Sequence, residues 1–501
     1  MRLLRFQAVL AVLLLLFLSG CASLSRHAPP ITSNSVEGCQ AFLAELEKQV
    51  KEAGVREAAD LLVPGFPYLR TNRFLVAMKD RINGEEAREQ WLRWMKALDL
   101  RAREKEIRNL PDHRVLSLQS TESSHPNRNE LLSRVESCSE KLSTRDKALP
   151  DFNTTLASRV GVPDEYSFLR RAIGLYPLFV LPVAVVSHNA RVKARSRFEK
   201  DLDQLPILGR LKAYVPRENL LLPEPEVRAM IQEIIKNSLG VPLLDEEQGK
   251  RLAWSFAPII IQDVAAPYDE LGQVVWKGNR LEIDSGRPIV YYYFSYAFMR
   301  NKPILQINYV FWYSDRAGEA PPSIEKGHLD GLTYRVSLDL QGRVFMVDGI
   351  TNCGCYHFFV PVREKVERIV TRPFKPDPFV PQWLPAVPPG SRMGLRISSG
   401  WHQVERLLAA AEPPAPILYN LVPYDDLKVL PKKEGGTESI FDSRGIVKGS
   451  ERAERFILFS MGIPKIGSMR EQGHHAIELI GRTHFDDPHL FDHSFVLKEA
   501  E

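Results

Sequence analysis

Residues 352–357, Asn-Cys-Gly-Cys-Tyr-His, hold the densest group of reactive side chains in the chain. If the segment is a strand, Cys353, Cys355 and His357 alternate and share one face. Neighbours two apart in a flat strand lie roughly 7 Å from each other, too far to hold one ion. Gly354 permits a curl or bulge that would draw the three together. A fourth ligand would then be needed, and His328, in Gly-His-Leu-Asp-Gly, is the best candidate. Two thiolates and two imidazoles suit zinc or copper. Two structural readings stand beside the metal site: a short Cys-Gly-Cys disulfide, or a pair of buried thiols.

A further reading is catalytic. A histidine hydrogen-bonded to a thiol lowers its pKa and activates it as a nucleophile. His357 is nearest to Cys353 and Cys355, and His475, in Gly-His-His-Ala-Ile-Glu, is the alternative, with Asp486 and Asp487 downstream. The order Cys, His, Asp is loosely similar to papain-like hydrolases. The residues that flank the cysteine in that family are absent, and Cys353 follows a strand-like segment instead of opening a helix. The tail motif from Gly481 to His489 is rich in ligand types. It reads as a turn before a helix, because Asp-Asp-Pro is a good helix start; pairing or metal binding by His484 and Asp486 is the alternative. His402 stands alone in its segment and reads as a packed, hydrogen-bonded side chain. Ser323-Ile-Glu-Lys326 matches the Ser-x-x-Lys of penicillin-binding proteins in form only, since no apolar helix and no partner motif follows. The common motifs of zinc proteases, α/β-hydrolases and nucleotide enzymes are missing.

The N-terminus supplies an address. Arg2 and Arg5 precede an apolar run at residues 8–17, which ends in Leu18-Ser19-Gly20-Cys21. The run suits a signal peptide and is too short for a stable membrane span. This N-terminus resembles the signal and lipobox of bacterial lipoproteins. The resemblance implies cleavage before Cys21, acylation of its thiol and amine, and near-permanent anchoring by the buried chains. Ala22, in place of an aspartate, implies sorting to the outer membrane of a Gram-negative cell, facing the periplasm. The body is similar to uncharacterised lipoproteins of Gram-negative bacteria, which adds no activity. With Cys21 lipidated, four of the five cysteines remain. An oxidising compartment favours disulfides, and position divides the four into Cys39 with Cys138 and Cys353 with Cys355. A bridge from Cys39 to Cys138 would contribute on the order of 4 kcal/mol; two unrelated buried thiols are the alternative.

Beyond the signal (1–20), residues 21–37 read as a polar tether. Residues 38–150 show helical spacing in three segments, a small bundle with Cys39 near its start and Cys138 in its last helix. Residues 151–370 read as an α+β domain. Its segment 172–186 is an apolar run carrying Pro177 and Pro182, expected to be buried core, with a patch lying on the membrane as the alternative. A helix near 224–240 precedes two hairpins, 288–299 with 303–314 and 331–340 with 343–351, which predict an antiparallel sheet of at least four strands. Seven prolines within 371–390 mark an extended connector. The tail, 391–501, is mixed, with strand-like stretches at Gly394–Gly400 and Arg455–Gly462.

The fold class expected is therefore α+β. A net charge of +4, with its Lys and Arg dispersed, leaves no nucleic-acid footprint. The membrane, through the N-terminal lipid, is the expected partner, an envelope protein is a compatible one, and the oligomeric state is open. Two functions remain: a non-enzymatic envelope lipoprotein with a binding or structural role, favoured because no complete catalytic constellation can be assembled, or an envelope hydrolase that uses Cys353 or Cys355 with a histidine, or a metal held there.

Overall fold

The computed structural model describes residues 33–119, 125–373 and 375–498. The lipobox and most of the tether lie outside these residues. The molecule is α+β, with helices gathered at the N-terminal side and a large mixed sheet beyond them.

Helix α1 (Val36–Ala53) buries Cys39, Phe42, Leu43, Leu46 and Val50, one stripe at helical spacing. Ser35 caps its start by accepting from the Gly38 N–H, and Gly54, in the left-handed conformation, ends it. Helix α2 (Glu85–Asn109) and helix α1 both pack against helix α3 (Arg128–Lys147), and Cys39 is bonded to Cys138. The region is not purely helical. Residues Leu61–Val63 and Phe66–Thr71 form a hairpin against α2, turned at Gly65. This hairpin carries a charge into the bundle: buried Arg70 meets Asp99 at 3.2 Å and Glu106 at 2.7 Å. Arg103 completes the cluster on Glu106 at 3.1 Å and Glu47 at 2.8 Å.

The main sheet has ten strands: β1 (Arg210–Pro216), β2 (Ile259–Val264), β3 (Ile289–Met299), β4 (Lys302–Arg316), β5 (Gly327–Leu338), β6 (Val344–Thr351), β7 (Phe358–Pro361), β8 (Arg392–Ile397), β9 (Val404–Ala410) and β10 (Ile417–Pro423). Their spatial order is β7-β6-β5-β4-β3-β10-β1-β2-β8-β9. Both expected hairpins form. The first turns at Arg300 and Asn301, each with positive φ, so Met299 pairs with Lys302. From β3 to β7 all pairings are antiparallel, whereas β10 runs parallel to both β3 and β1, and β8 parallel to β2. The tail thus returns to the sheet through β8, β9 and β10.

Strand β4 is covered on both faces, and its side chains divide with period two. Ile307, Tyr309, Phe311 and Tyr313 join one core, and Val310 and Trp312 join another. Helix α4 (Phe168–Ile173) and helix α5 (Tyr176–Glu199) precede the sheet, and α6 (Glu224–Ile234) and α7 (Glu246–Phe256) contribute Ile231 and Leu252 to the first core. Among its described residues the connector 371–390 contains no helix or strand. It runs along the edge strand β7, where Phe359 N–H donates to the Phe379 carbonyl and Leu384 N–H to the Pro361 carbonyl, so the open edge is satisfied.

Two expectations are corrected. Residues 172–186 are not buried core: Phe198 is the one buried residue of α5, and Leu178, Leu181 and Val186 are 68%, 70% and 69% exposed. Pro177 sits in the first turn, where its missing N–H costs nothing, and Pro182 lies inside the helix. The strand-like stretch Arg455–Gly462 is instead a short helix, Glu454–Ile457, and a 3₁₀ turn, Phe459–Met461, because Phe456 and Ile457 face solvent and find no neighbouring strand.

Replacing both Cys39 and Cys138 by serine opens a loop with a sequence separation of 99. The full chain should lose on the order of 4–5 kcal/mol of stability in the chain-entropy account, read as a lower urea midpoint with a steeper slope, because the unbridged denatured chain exposes more surface.

Candidate functional site

The sheet hands the Cys-Gly-Cys segment out at the end of β6. Residues 352–357 are a turn between β6 and β7 and not a strand, so Cys353, Cys355 and His357 do not share a pleat face. Gly354 has φ +90°, and a Cβ there would lie 2.6 Å from the Ala476 carbonyl oxygen. Its N–H closes the turn on the Thr351 carbonyl at 2.7 Å, and Thr351 N–H donates to the Cys355 carbonyl at 3.1 Å. Asn352 locks the base. Its side chain accepts from Thr333 Oγ1 at 2.7 Å and donates to the Phe311 carbonyl at 3.3 Å.

Beneath the turn lies a chain of buried charge. Arg316 of β4 grips Asp330 of β5 through two bonds, 3.0 and 2.9 Å, and donates to Glu325 at 3.1 Å. Asp330 meets His402 Nδ1 at 2.8 Å, and His402 Nε2 meets Asp269 at 3.1 Å. The imidazole stacks on Tyr313 with centroids 3.9 Å apart. Burial works against its charge, but the bonds to Asp269 and Asp330 prevail and raise the His402 pKa. Glu325 accepts from Tyr356 at 2.7 Å and from Trp401 at 3.1 Å, which holds Tyr356 at a positive φ of 56°. The packed, hydrogen-bonded reading of His402 is therefore what the structure shows.

Cys353 and Cys355 are both free thiols. Thr351 Oγ1 lies 3.1 Å from Cys353 Sγ. The neighbouring Cys355 thiol, with the nearby Arg316 guanidinium, outweighs burial and brings Cys353 down to about 6. The neighbouring Cys353 and burial push Cys355 well above its ordinary value. Cys353 is thus the more acidic of the two thiols.

The candidate histidines are placed elsewhere. His357 Nε2 lies 3.0 Å from Asp348, which Arg335 also holds, and burial lowers the His357 pKa. His475 Nε2 lies 3.2 Å from the Asn352 carbonyl, and burial takes its pKa down to about 3. No hydrogen bond joins either imidazole to Cys353 or Cys355, so the papain-like triad is not assembled. His328 lies 2.8 Å from the Leu281 carbonyl and pairs with Asp315 at 3.6 Å, away from the turn. Among the described residues no group of three His, Cys, Asp or Glu side chains could hold a metal ion. In the tail, His484 pairs with Asp164 and Asp486 with Arg73, and a short helix, Leu490–Ser494, follows Asp-Asp-Pro as expected.

The turn floors a cavity of about 510 Å³. Pro182, Val183, Val186, Ala190 and Ala194 of α5 form one wall; Cys353, Cys355, Tyr356 and Phe358 form another; Ile463, Ile466 and Ile477 close the third. Glu454 also lines it, buried, pushed up to about 8 by burial, and with no hydrogen-bond partner at Oε2. No protein-family model, curated protein or solved structure matches the chain.

A second cleft, of about 950 Å³, separates the helical region from the sheet. Trp94, Tyr292, Tyr293 and Tyr296 line it, with Arg101 and Asp486. Burial pushes Asp486 up to about 6, and its Oδ1 has no partner. Neither Glu454 nor this aromatic lining was visible as a site in the sequence. Glu454 stands in an ordinary charged stretch, and the aromatic run 291–298 has the look of plain strand composition.

The buried charge chain sets a pH dependence. His402 faces Asp269 and Asp330, with Arg316 beyond, and its pKa is raised on folding. The stability it contributes is complete below its unfolded value of about 6.5 and is lost as pH rises through the higher folded value. His402→Leu should cost about 3–5 kcal/mol by removing the cation that bridges Asp269 and Asp330, and urea unfolding across neutral pH should show the wild-type dependence flattened.

Proposed function

We propose that this protein is a lipid-anchored protein of the bacterial envelope that binds an apolar, chain-bearing molecule at a membrane surface. The observation that carries the reading is the apolar cavity beneath α5. A pocket of about 510 Å³ with predominantly aliphatic walls lies within the range of ligand sites. Its size and wall chemistry suit an acyl or prenyl chain better than a polar metabolite.

The outer surface of α5 supports the placement. Leu178, Leu181, Val185 and Val192 recur at helical spacing and are all exposed. Phe168, Leu169 and Ile173 of α4, with Phe456 and Ile457, extend the exposed apolar surface. Arg170, Arg171, Arg191, Lys193, Arg195 and Arg197 flank it, and Glu199 is the one acid in residues 168–199. An apolar surface rimmed by cations fits an anionic lipid surface. Among the described residues no helix is long and apolar enough to cross a membrane, so the fit is to lying on the bilayer. The lipobox at Cys21 would hold this face at the membrane.

The test is displacement of a fluorescent fatty acid from the full chain. Wild type should bind the probe, and Ala190→Trp, which fills the cavity from α5, should bind it at least about tenfold more weakly, a loss of about 1.4 kcal/mol. Equal binding by the two proteins, or none by wild type, overturns the cavity reading. The surface is tested separately with Leu178→Asp/Leu181→Asp. These exposed positions should leave the unfolding midpoint unchanged while reducing co-sedimentation with anionic vesicles.

A further inference from the structure

We infer that Cys353 and Cys355 are a two-electron dithiol couple that reduces a lipid-soluble quinone bound in the cavity under α5. The inference rests on the apolar-ligand reading of that cavity and adds a substrate class and a reaction to it.

Four observations carry it. First, two free thiols stand two residues apart in a closed turn and line the same cavity, so one can attack and the other resolve. Second, the nearby Arg316 guanidinium helps lower the Cys353 pKa while that of Cys355 is raised, so Cys353 is the attacking sulfur of the pair. Third, Cys353 is 3% exposed and faces the cavity, whose apolar walls disfavour charged oxidants. Fourth, Glu454, 5% exposed, lines the same cavity, and its Oε2 has no partner. Burial and the nearby Cys353 charge push this carboxyl up to about 8, so at neutral pH it can give a proton at the wall of the cavity. Acyl transfer to Cys353 would use the nucleophile and the acid but leave Cys355 without a role. A two-electron acceptor uses all three.

The step balances. The Cys353 thiolate adds to a ring carbon of the quinone, forming a carbon–sulfur bond, and the carbonyl oxygen that receives the electron pair takes the Glu454 proton. Cys355 gives up its proton and attacks the Cys353 sulfur. The sulfur–sulfur bond forms, the carbon–sulfur bond breaks, and its electron pair returns to the ring. The second oxygen takes the proton that Cys355 released. The products are the Cys353–Cys355 disulfide, one hydroquinone and the Glu454 carboxylate, which solvent reprotonates.

The experiment uses the reduced full chain in detergent with a short-tailed benzoquinone as probe. It follows quinone absorbance, free thiols and intact mass. Wild type should convert one quinone per chain and lose both thiols. Cys355→Ser should stop at a covalent quinone adduct on Cys353, and Cys353→Ser should not react. Glu454→Gln should slow the reaction by about a hundredfold or more and remove the dependence on an acid that titrates near pH 8. Retention of the Cys39–Cys138 bond and an unchanged unfolding midpoint show that each variant is folded. The inference fails if folded wild type leaves the quinone oxidised, if Cys353→Ser reacts at the wild-type rate, or if glutathione disulfide oxidises the pair while the quinone does not. Fatty-acid binding that persists without quinone reduction sinks this inference alone, whereas loss of both sinks the cavity reading as well.

Discussion

The buried run from Arg316 through Asp330 and His402 to Asp269 is the constraint on which the site depends. An isolated charge in a dry interior costs many kilocalories per mole, and partners with good geometry must offset that cost. Here Arg316 spends its donors on Asp330 and Glu325, and His402 bridges two carboxylates. The groups come from β4, β5, the turn after β2, the loop before β5 and the loop after β8. Each element is therefore held in register by the need to neutralise the others. Arg452, 3.5 Å from Asp330, brings in the segment that carries Glu454.

The cysteine turn is built on top of this arrangement. Tyr356 reaches down to Glu325, the same carboxylate that Arg316 and Trp401 hold. Its left-handed backbone persists because the surroundings over-determine it. Arg316 has a second effect, because its charge favours the Cys353 thiolate. One guanidinium thus contributes to the fold and to the reactivity of the site. Asn352 and the Asp348–Arg335 pair engage the backbone and histidines around the turn, so both candidate bases serve the architecture.

Much of the fold was legible in the residues. Helices α1, α2 and α3 follow from apolar stripes with clear ends, and both aromatic hairpins follow from β-branched and aromatic runs broken by short turns. The Cys39–Cys138 bond followed from position once Cys21 was set aside. Segment 172–186 misled because hydrophobicity marks a preference for leaving water and says nothing of which apolar surface will receive the segment. The hairpin at 61–71 was hidden by its brevity. Segment 455–462 carries strand-forming side chains, but no neighbouring edge is free to pair with them.

Local chemistry and tertiary placement divide cleanly in this chain. The sequence alone specified the periodic elements, the α+β class and the presence of two thiols flanking a glycine, because these depend on neighbours a few residues apart. It did not specify which charges would meet. His402 lies 72 residues from Asp330 and 133 from Asp269, and Glu454 lies about a hundred from the thiols. Whether a cysteine is a thiolate, a ligand or an inert core residue depends on the field and solvent access at its sulfur. Those are set by residues the sheet brings together across the whole chain, so only the folded molecule decides them.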